Sequence, residues 1–270
     1  MDNKVVLLEK QDGLAIITLN RPEVYNALNA ELIEQLPKLI DEADRDEATR
    51  VVIITGVGNG FCSGADVRQL LAKQLENPPL METVYGEVLR GKSSPMSMAV
   101  QMRNMGKPVI AAINGVAAGA GLSIALACDI RIASDKARFS MAFVRRGIIP
   151  DTGGTYYLPR LVGTARACEL ILTGDMIGAE EAERIGMVNR VVPHQELMKA
   201  TKELGMKLVN NPPLAIKAAK QAIYHGLVAA DLETHLNYEL FTNGILTQTE
   251  DYEEGVKSFL EKREPSFKGR

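Results

Sequence analysis

The chain has 270 residues, 31 lysines and arginines against 34 aspartates and glutamates, and a formal net charge of −3. It is 46% hydrophobic and 24% charged, the balance of a globular protein, and long enough for one large domain or a domain with a small helical appendage. The slight acidity leaves no footprint for nucleic acid, so no nucleic-acid partner is expected, although a local basic patch would suit a phosphate-bearing ligand.

The first charges come early and no long apolar run follows, so no signal peptide is expected and the cytoplasm is the expected location. Lys4–Glu9 and Leu14–Asn20 flank Gln11-Asp12-Gly13 and predict a hairpin. Ala30–Asp44 carries Leu32, Ile33, Leu36, Leu39, Ile40 and Ala43 at helical spacing, with Pro37 predicting a kink or break. Val51–Thr55 predicts a buried strand, Gly56–Gly60 a loop, and Asp66–Leu75 a short helix capped by Asp66.

The 77–97 stretch, with Pro78-Pro79 and a later Gly-Lys-Ser-Ser-Pro, predicts a flap before a helix through Val100–Met105. Met81, Met96, Met98, Met102 and Met105 either line an adaptable acyl pocket there or fill core. Pro108–Cys128 has no charged residue and the length of a membrane span, but Pro108, Asn114-Gly115, Gly119 and Gly121 divide it. It reads as strand Val109–Ile113, a turn and helix Ala120–Ala127, and no membrane partner is expected. Strands at Ile130–Ala133 and Arg138–Ser140 follow, then a Gly147–Leu158 loop entering a helix. From about Ala165 the chain reads as helical, with breaks at Gly186 and Asn210–Pro213. Residues 1–195 thus form an α/β core and 196–270 a helical region, whose apolar faces (Leu232, Leu236, Leu240, Phe241; Val256, Phe259, Leu260) need a partner surface.

Several chemistries lack their residues. Cys62, Cys128 and Cys168 fit neither a disulfide framework nor a CxxC pair, and His194, His225 and His235 form no HExxH, so no metal is expected. Dinucleotide fingerprints fail at Ile124 and Phe61, where glycine is required. Gly86-Glu87-Val88-Leu89-Arg90-Gly91-Lys92-Ser93 matches a phosphate loop by letter, but no strand leads in and Pro95 discourages the helix. A Ser123–His pair would need a late histidine folding back.

Two segments share a more productive design. Val51–Thr55 leads to Phe61-Cys62-Ser63-Gly64-Ala65-Asp66, and Val109–Ile113 leads to Asn114-Gly115 and Gly119-Ala120-Gly121. Each passes from a buried strand through small residues into a helix, whose first N–H groups lack internal partners. Taken singly these are close-packed turns. Taken together they could converge on one oxygen gaining negative charge, an oxyanion hole.

The order of Arg21-Pro22…Asn26-Ala27-Leu28, Phe61–Val67, Lys107–Gly115, Cys128-Asp129-Ile130, Pro150–Gly154 and Leu172–Asp175 with Ala179–Ala182 resembles the enoyl-CoA hydratase/isomerase (crotonase) superfamily along nearly the whole chain. The resemblance implies a spiral of ββα units with a C-terminal helical trimerisation region. It implies trimers, often paired as hexamers, and a coenzyme A thioester as substrate with no separate cofactor. It carries the oxyanion donors to Ala65 and Ala120, the latter within one residue. It carries the substrate and CoA contacts to Val24, Asn26, Ala27, Ser63, Gly64, Asp66, Val67, Gly119 and Phe143. Phe259 and Lys262 match positions that reach the CoA of the same or a neighbouring subunit; a solvated Lys262 is the other reading.

The two glutamates by which hydratases of that superfamily activate water and deliver a proton fall at Ser123 and Phe143, neither of which can act as acid or base. Asp151 is the carboxylate left in place, among Phe143, Ile148, Ile149 and Pro150. It reads either as a base with a raised pKa or as the N-cap of the next helix. The expectation is therefore an enoyl-CoA isomerase using Asp151. Three alternatives stand beside it: a hydratase-like or aryl-CoA-processing enzyme, a hydrolytic dehalogenase, and a non-catalytic CoA- or RNA-binding homologue. The dehalogenase needs a tryptophan and an early histidine that this chain lacks.

Overall fold

Asp12 and Gly13 both take positive φ, 52° and 79°, the mirror-image turn whose twist suits two right-handed strands. They join β1 (Val6–Gln11) to β2 (Leu14–Leu19) in an antiparallel hairpin. The structure, a computed structural model, describes residues 4–72, 76 and 95–270. Most of the expected flap, with Met81 and the phosphate-loop letters at 86–93, lies outside the described residues.

From β2 onward the pairing within this sheet is parallel. β3 (Val51–Gly56), β5 (Val109–Ile113), β7 (Ile130–Ser134) and β10 (Arg190–Val192) complete a six-stranded sheet in the order β1-β2-β3-β5-β7-β10. Short strands following β3, β5 and β7 build a second sheet: β4 (Gly60–Cys62), β6 (Val116–Ala118), β8 (Arg138–Ser140) and then β9 (Met176–Gly178). Each turn of the spiral thus gives a long strand to one sheet and a short strand to the other. Four of these strands, β4, β6, β9 and β10, were not expected, whereas the equally short β8 was.

Helix α1 (Ala30–Arg45) is capped by the Asn29 side chain and runs through Pro37 without ending, so of the expected kink or break the break does not occur. Pro inside a helix costs about 3 kcal/mol. Burying Leu32, Leu36, Ile40 and Ala43 outweighs that, at roughly 1.5–3 kcal/mol for each of the three larger side chains. Helix α2 (Pro95–Asn104) brings Met98 and Met102 into the core, with Met105 just beyond it, so these three methionines fill core. Helix α3 (Ala120–Ala127) is buried at all eight positions, which accounts for the uncharged run without a membrane. No helix among the described residues is long and apolar enough to cross one.

Helices α4 (Gly154–Val162), α5 (Thr164–Thr173) and α6 (Ala179–Arg184) follow. Next, α7 (Leu197–Val209) covers the other face of the six-stranded sheet, where Leu197 clusters with Leu14, Ile16, Val51, Ile53, Ile110, Ala112 and Ile132. The first helix of the expected 196–270 region thus packs on the core sheet. Strands covered on both faces read as unbroken apolar runs, as Val51–Ile54 does. Beyond it come α8 (Pro213–Gly226), α9 (Leu232–Leu246) and α10 (Glu250–Glu261). Leu232, Leu240 and Phe241 on α9, and Phe259 and Leu260 on α10, are more than two-thirds exposed.

Candidate active site

The first small-residue turn leaves β4 through Ser63, Gly64 and Ala65. Gly64 has φ of 93°. The Gly64 carbonyl accepts from Leu28 N–H at 2.7 Å, and Asp66 N–H donates to the Leu28 carbonyl at 2.9 Å. Between those two bonds the Ala65 N–H has no partner among the described residues. Ser63 is held from behind, its N–H on the Tyr25 carbonyl and its hydroxyl on the Val24 carbonyl.

The second turn leaves β6 through Gly119 into α3. Gly119 N–H donates to the Ser140 carbonyl at 2.9 Å, so the first unpartnered donor of the helix is Ala120 N–H. The two turns touch. A Cβ on Gly64 would lie 3.4 Å from the Ala120 nitrogen and 2.8 Å from the Ala118 oxygen, and a Cβ on Gly121 would lie 2.1 Å from the Cys62 oxygen. Glycine at 64 and 121 is what allows this approach.

Both turns open on one cavity of about 1390 Å³. Val24, Ala27, Ser63, Gly64, Asp66 and Val67 line it on the first turn's side, and Gly119, Ala120, Phe143 and Asp151 complete it. Asn26, Phe259 and Lys262 do not line it in this chain. Asn26 is fully buried, with its side-chain amide on the Val57 and Gly60 carbonyls and its side-chain oxygen accepting from Arg21 N–H. Phe259 is exposed on α10, and Lys262 is the left-handed residue ending that helix.

Asp66 accepts from the N–H groups of Arg68 and Gln69 and forms a buried ion pair with Arg21 at 3.0 Å. Burial alone would raise its carboxyl pKa, but the Gln69 N–H and Arg21 outweigh that and hold it below the usual value. It is the expected cap. Asp151 is the opposite case. The cap of α4 is Gly153, with no side-chain cap bond, so the capping reading of Asp151 falls away. Its carboxylate is open to the cavity, yet the protein packed on its other sides desolvates it and pushes its pKa up. The third lining carboxylate, Glu23, is exposed.

Ser123 is fully buried and does not line the cavity; its hydroxyl points at the Gly119 carbonyl, 3.4 Å away. It meets no histidine, since His194 Nδ1 pairs with Ser134 and His225 stacks on His235 and Tyr238. Burial pushes the Cys62 and Cys128 thiols up to about 12, which removes them as nucleophiles. No cluster among the described residues could hold a metal ion.

The structure adds lining residues that sequence reasoning missed: Arg68, Arg145, Arg146, Thr152 and Met176. Arg145 is engaged by Asp175 and the Thr173 carbonyl. The buried Thr152 hydroxyl has no partner among the described residues. Only its place directly after Asp151 could have singled it out.

The enoyl-CoA hydratase/isomerase family profile matches residues 9–270. The chain is 40% identical to a short-chain-enoyl-CoA hydratase of Clostridium acetobutylicum, over the whole of both chains. It is 37% identical to a 1,2-epoxyphenylacetyl-CoA isomerase of Escherichia coli, over 98% of each. The crystal structure of an enoyl-CoA hydratase from Bacillus anthracis superposes with a TM-score of 0.89 at 36% identity, covering 98% of this chain and all of that one. The two-sheet spiral, the paired turns opening on one cavity and these matches along its full length establish that the chain belongs to the enoyl-CoA hydratase/isomerase family and has the crotonase fold.

Proposed function

We propose that this enzyme shifts a carbon–carbon double bond of an enoyl-CoA thioester, with Asp151 as its single acid/base. The observation that carries the reading is the pairing of one desolvated carboxylate, Asp151, with two unpartnered N–H groups, Ala65 and Ala120, on the same cavity. In a 3-enoyl thioester, Asp151 takes a proton from the carbon beside the carbonyl. The charge moves onto the thioester oxygen, where the two N–H groups bind the dienolate, and Asp151 returns the proton two carbons further along. Each such donor contributes about 2.7–4 kcal/mol to lowering the barrier. Water addition needs a second acid/base group, and the burial of Ser123 outside the cavity together with the phenyl ring of Phe143 supports its absence.

The test is turnover of trans-3-hexenoyl-CoA and crotonyl-CoA by wild type and Asp151→Asn. A double-bond shift without hydration, lost in the variant, supports the reading. Hydration of crotonyl-CoA, or a shift that survives in Asp151→Asn, sinks it. If neither thioester reacts, ring-bearing thioesters come next, in keeping with the ring in the name of the Escherichia coli relative. The exposed apolar side chains of α9 and α10 support a homotrimer or a pair of trimers, which light scattering would read as a mass.

A further inference from the structure

The Arg21-Pro22…Asn26-Ala27 motif, expected in part to touch ligand, has two residues turned into the fold. Arg21 is 7% exposed and Asn26 not at all. The Arg21 guanidinium straddles the short bridge between Leu28 and Ala65. One of its nitrogens donates to the Ala27 carbonyl at 2.5 Å, just before Leu28, and another to Asp66 Oδ2 at 3.0 Å, just after Ala65. Its own backbone is fixed in turn: Arg21 N–H donates to Asn26 Oδ1 at 2.7 Å, and Asn26 N–H to the Arg21 carbonyl at 2.8 Å. The Asn26 amide then ties this unit to the Val57 and Gly60 carbonyls beside β4.

As a stability device this arrangement is poor. Desolvating a guanidinium and a carboxylate offsets most of their attraction, and apolar replacements of buried ion pairs are often neutral or stabilising. What the pair does deliver is direction, because a two-pronged guanidinium fixes both strands of the bridge at once. We infer that Arg21 is a positioning residue of the oxyanion hole, aiming the Ala65 N–H into the cavity through Asp66 and the Ala27 carbonyl. The inference rests on the oxyanion reading above. Arg21 touches no substrate; its effect is on where Ala65 N–H points when charge develops on the thioester oxygen.

The experiment compares wild type, Arg21→Met, Arg21→Lys and Asp66→Asn. Asp66→Asn keeps an oxygen for the Arg68 and Gln69 N–H groups but turns an amide N–H₂ toward the guanidinium. Two readouts are taken: kcat and KM for the double-bond shift, and the absorption of bound 4-aminocinnamoyl-CoA, which moves to the red when its carbonyl is polarised. Losing one well-placed donor costs about 10²–10³ in kcat, so a misaimed one should cost about 10–10². KM should change by less than about threefold, because the donor matters most in the transition state. The red shift should shrink in Arg21→Met and Asp66→Asn and return in part in Arg21→Lys. If wild type polarises the probe and folded variants keep both its red shift and kcat, the positioning role is overturned and the oxyanion reading survives. If wild type itself leaves the probe unshifted, both fall. Should Arg21→Met not fold, Asp66→Asn and Arg21→Lys carry the same comparison.

Discussion

Between Phe61 and Asp66, and again between Asn114 and Ala120, the cavity wall is held by long-range bonds. Leu28 and Tyr25 reach the first turn, Ser140 reaches the second, and the Asn114 side chain spans to Gly56, Gly58 and Gly60. From Phe143 to Thr152 the backbone bonds stay within the stretch or its immediate neighbours, and the N–H groups of Ile149 and Thr152 find no backbone acceptor among the described residues. Ile148 and Ile149 are exposed there, and the Thr152 hydroxyl is unpartnered among the described residues. The first wall presents backbone donors and has no room for a Cβ at Gly64 or Gly115. The second presents one side chain whose chemistry comes from its surroundings. In the proposed mechanism, binding of charge and movement of protons are therefore specified by different physics, sterics in one case and desolvation in the other.

The largest effect should come from the second wall. Asp151→Asn removes the proposed acid/base group, and positioned groups of that kind contribute about 10²–10⁴ in rate. The double-bond shift should fall by that factor in a direct assay of 3-enoyl thioester, with KM nearly unchanged. A comparable rise in KM with kcat unchanged would mean that Asp151 binds rather than reacts. Next comes Gly64→Ala on the first wall. Its Cβ would press 2.8 Å from the Ala118 oxygen at a φ of 93°, prising apart the two turns that carry the donors. About 10²–10³ in kcat should go, with a drop in melting temperature that Asp151→Asn lacks. An active and equally stable Gly64→Ala would break the claim that this wall has no room.

How much of this contrast could be read from the residues follows the same division. The hairpin at Asp12-Gly13, the buried run Val51–Ile54 and the small-residue turns are local patterns, and the structure keeps them. The strands β4, β6, β9 and β10 are each three residues long and exist because a neighbouring strand lies beside them, which no local pattern records. Helices α7 and α9 both carry apolar side chains; one covers the sheet and the other faces outward. Periodicity reveals that a face is apolar without revealing what it meets. Asn26 is the same lesson at a single residue: the family resemblance marks it as a ligand contact, and one local and two long-range bonds make it a tie in the frame.

The pH profile sharpens the contrast further, with a smaller effect. Asp151 must be ionised to take a proton, and desolvation raises its pKa above the ordinary value near 3.9. kcat/KM should be level at high pH and fall about tenfold per unit on the acid side, with its midpoint above that ordinary value. A bound thioester displaces water from around the carboxylate, so the midpoint seen in kcat should lie higher than that in kcat/KM. An acid limb centred at or below the ordinary carboxylate value would place the base elsewhere.

The smallest effect is on stability, and its sign separates a group tuned by desolvation from one held by partners. A carboxyl whose pKa is raised on folding binds its proton more tightly in the native state. Native stability then falls as pH rises from the unfolded value, near 3.9, through the native one, and the full cost is present above it. Asp151→Asn removes that cost while nearly preserving shape. Its melting temperature should match wild type below about pH 3.9 and equal or exceed it near neutrality, the difference growing across the window between. Asp66→Asn should behave in reverse. Its native pKa is held low, so the carboxylate contributes stability above the unfolded value and loses it as pH falls. The variant should therefore melt below wild type at neutral pH and approach it in acid. Two aspartates on one cavity would then respond to the same substitution with opposite signs. If Asp151→Asn instead melts well below wild type at neutral pH and converges in acid, its carboxylate has a stabilising partner in the native state and desolvation is not what governs it.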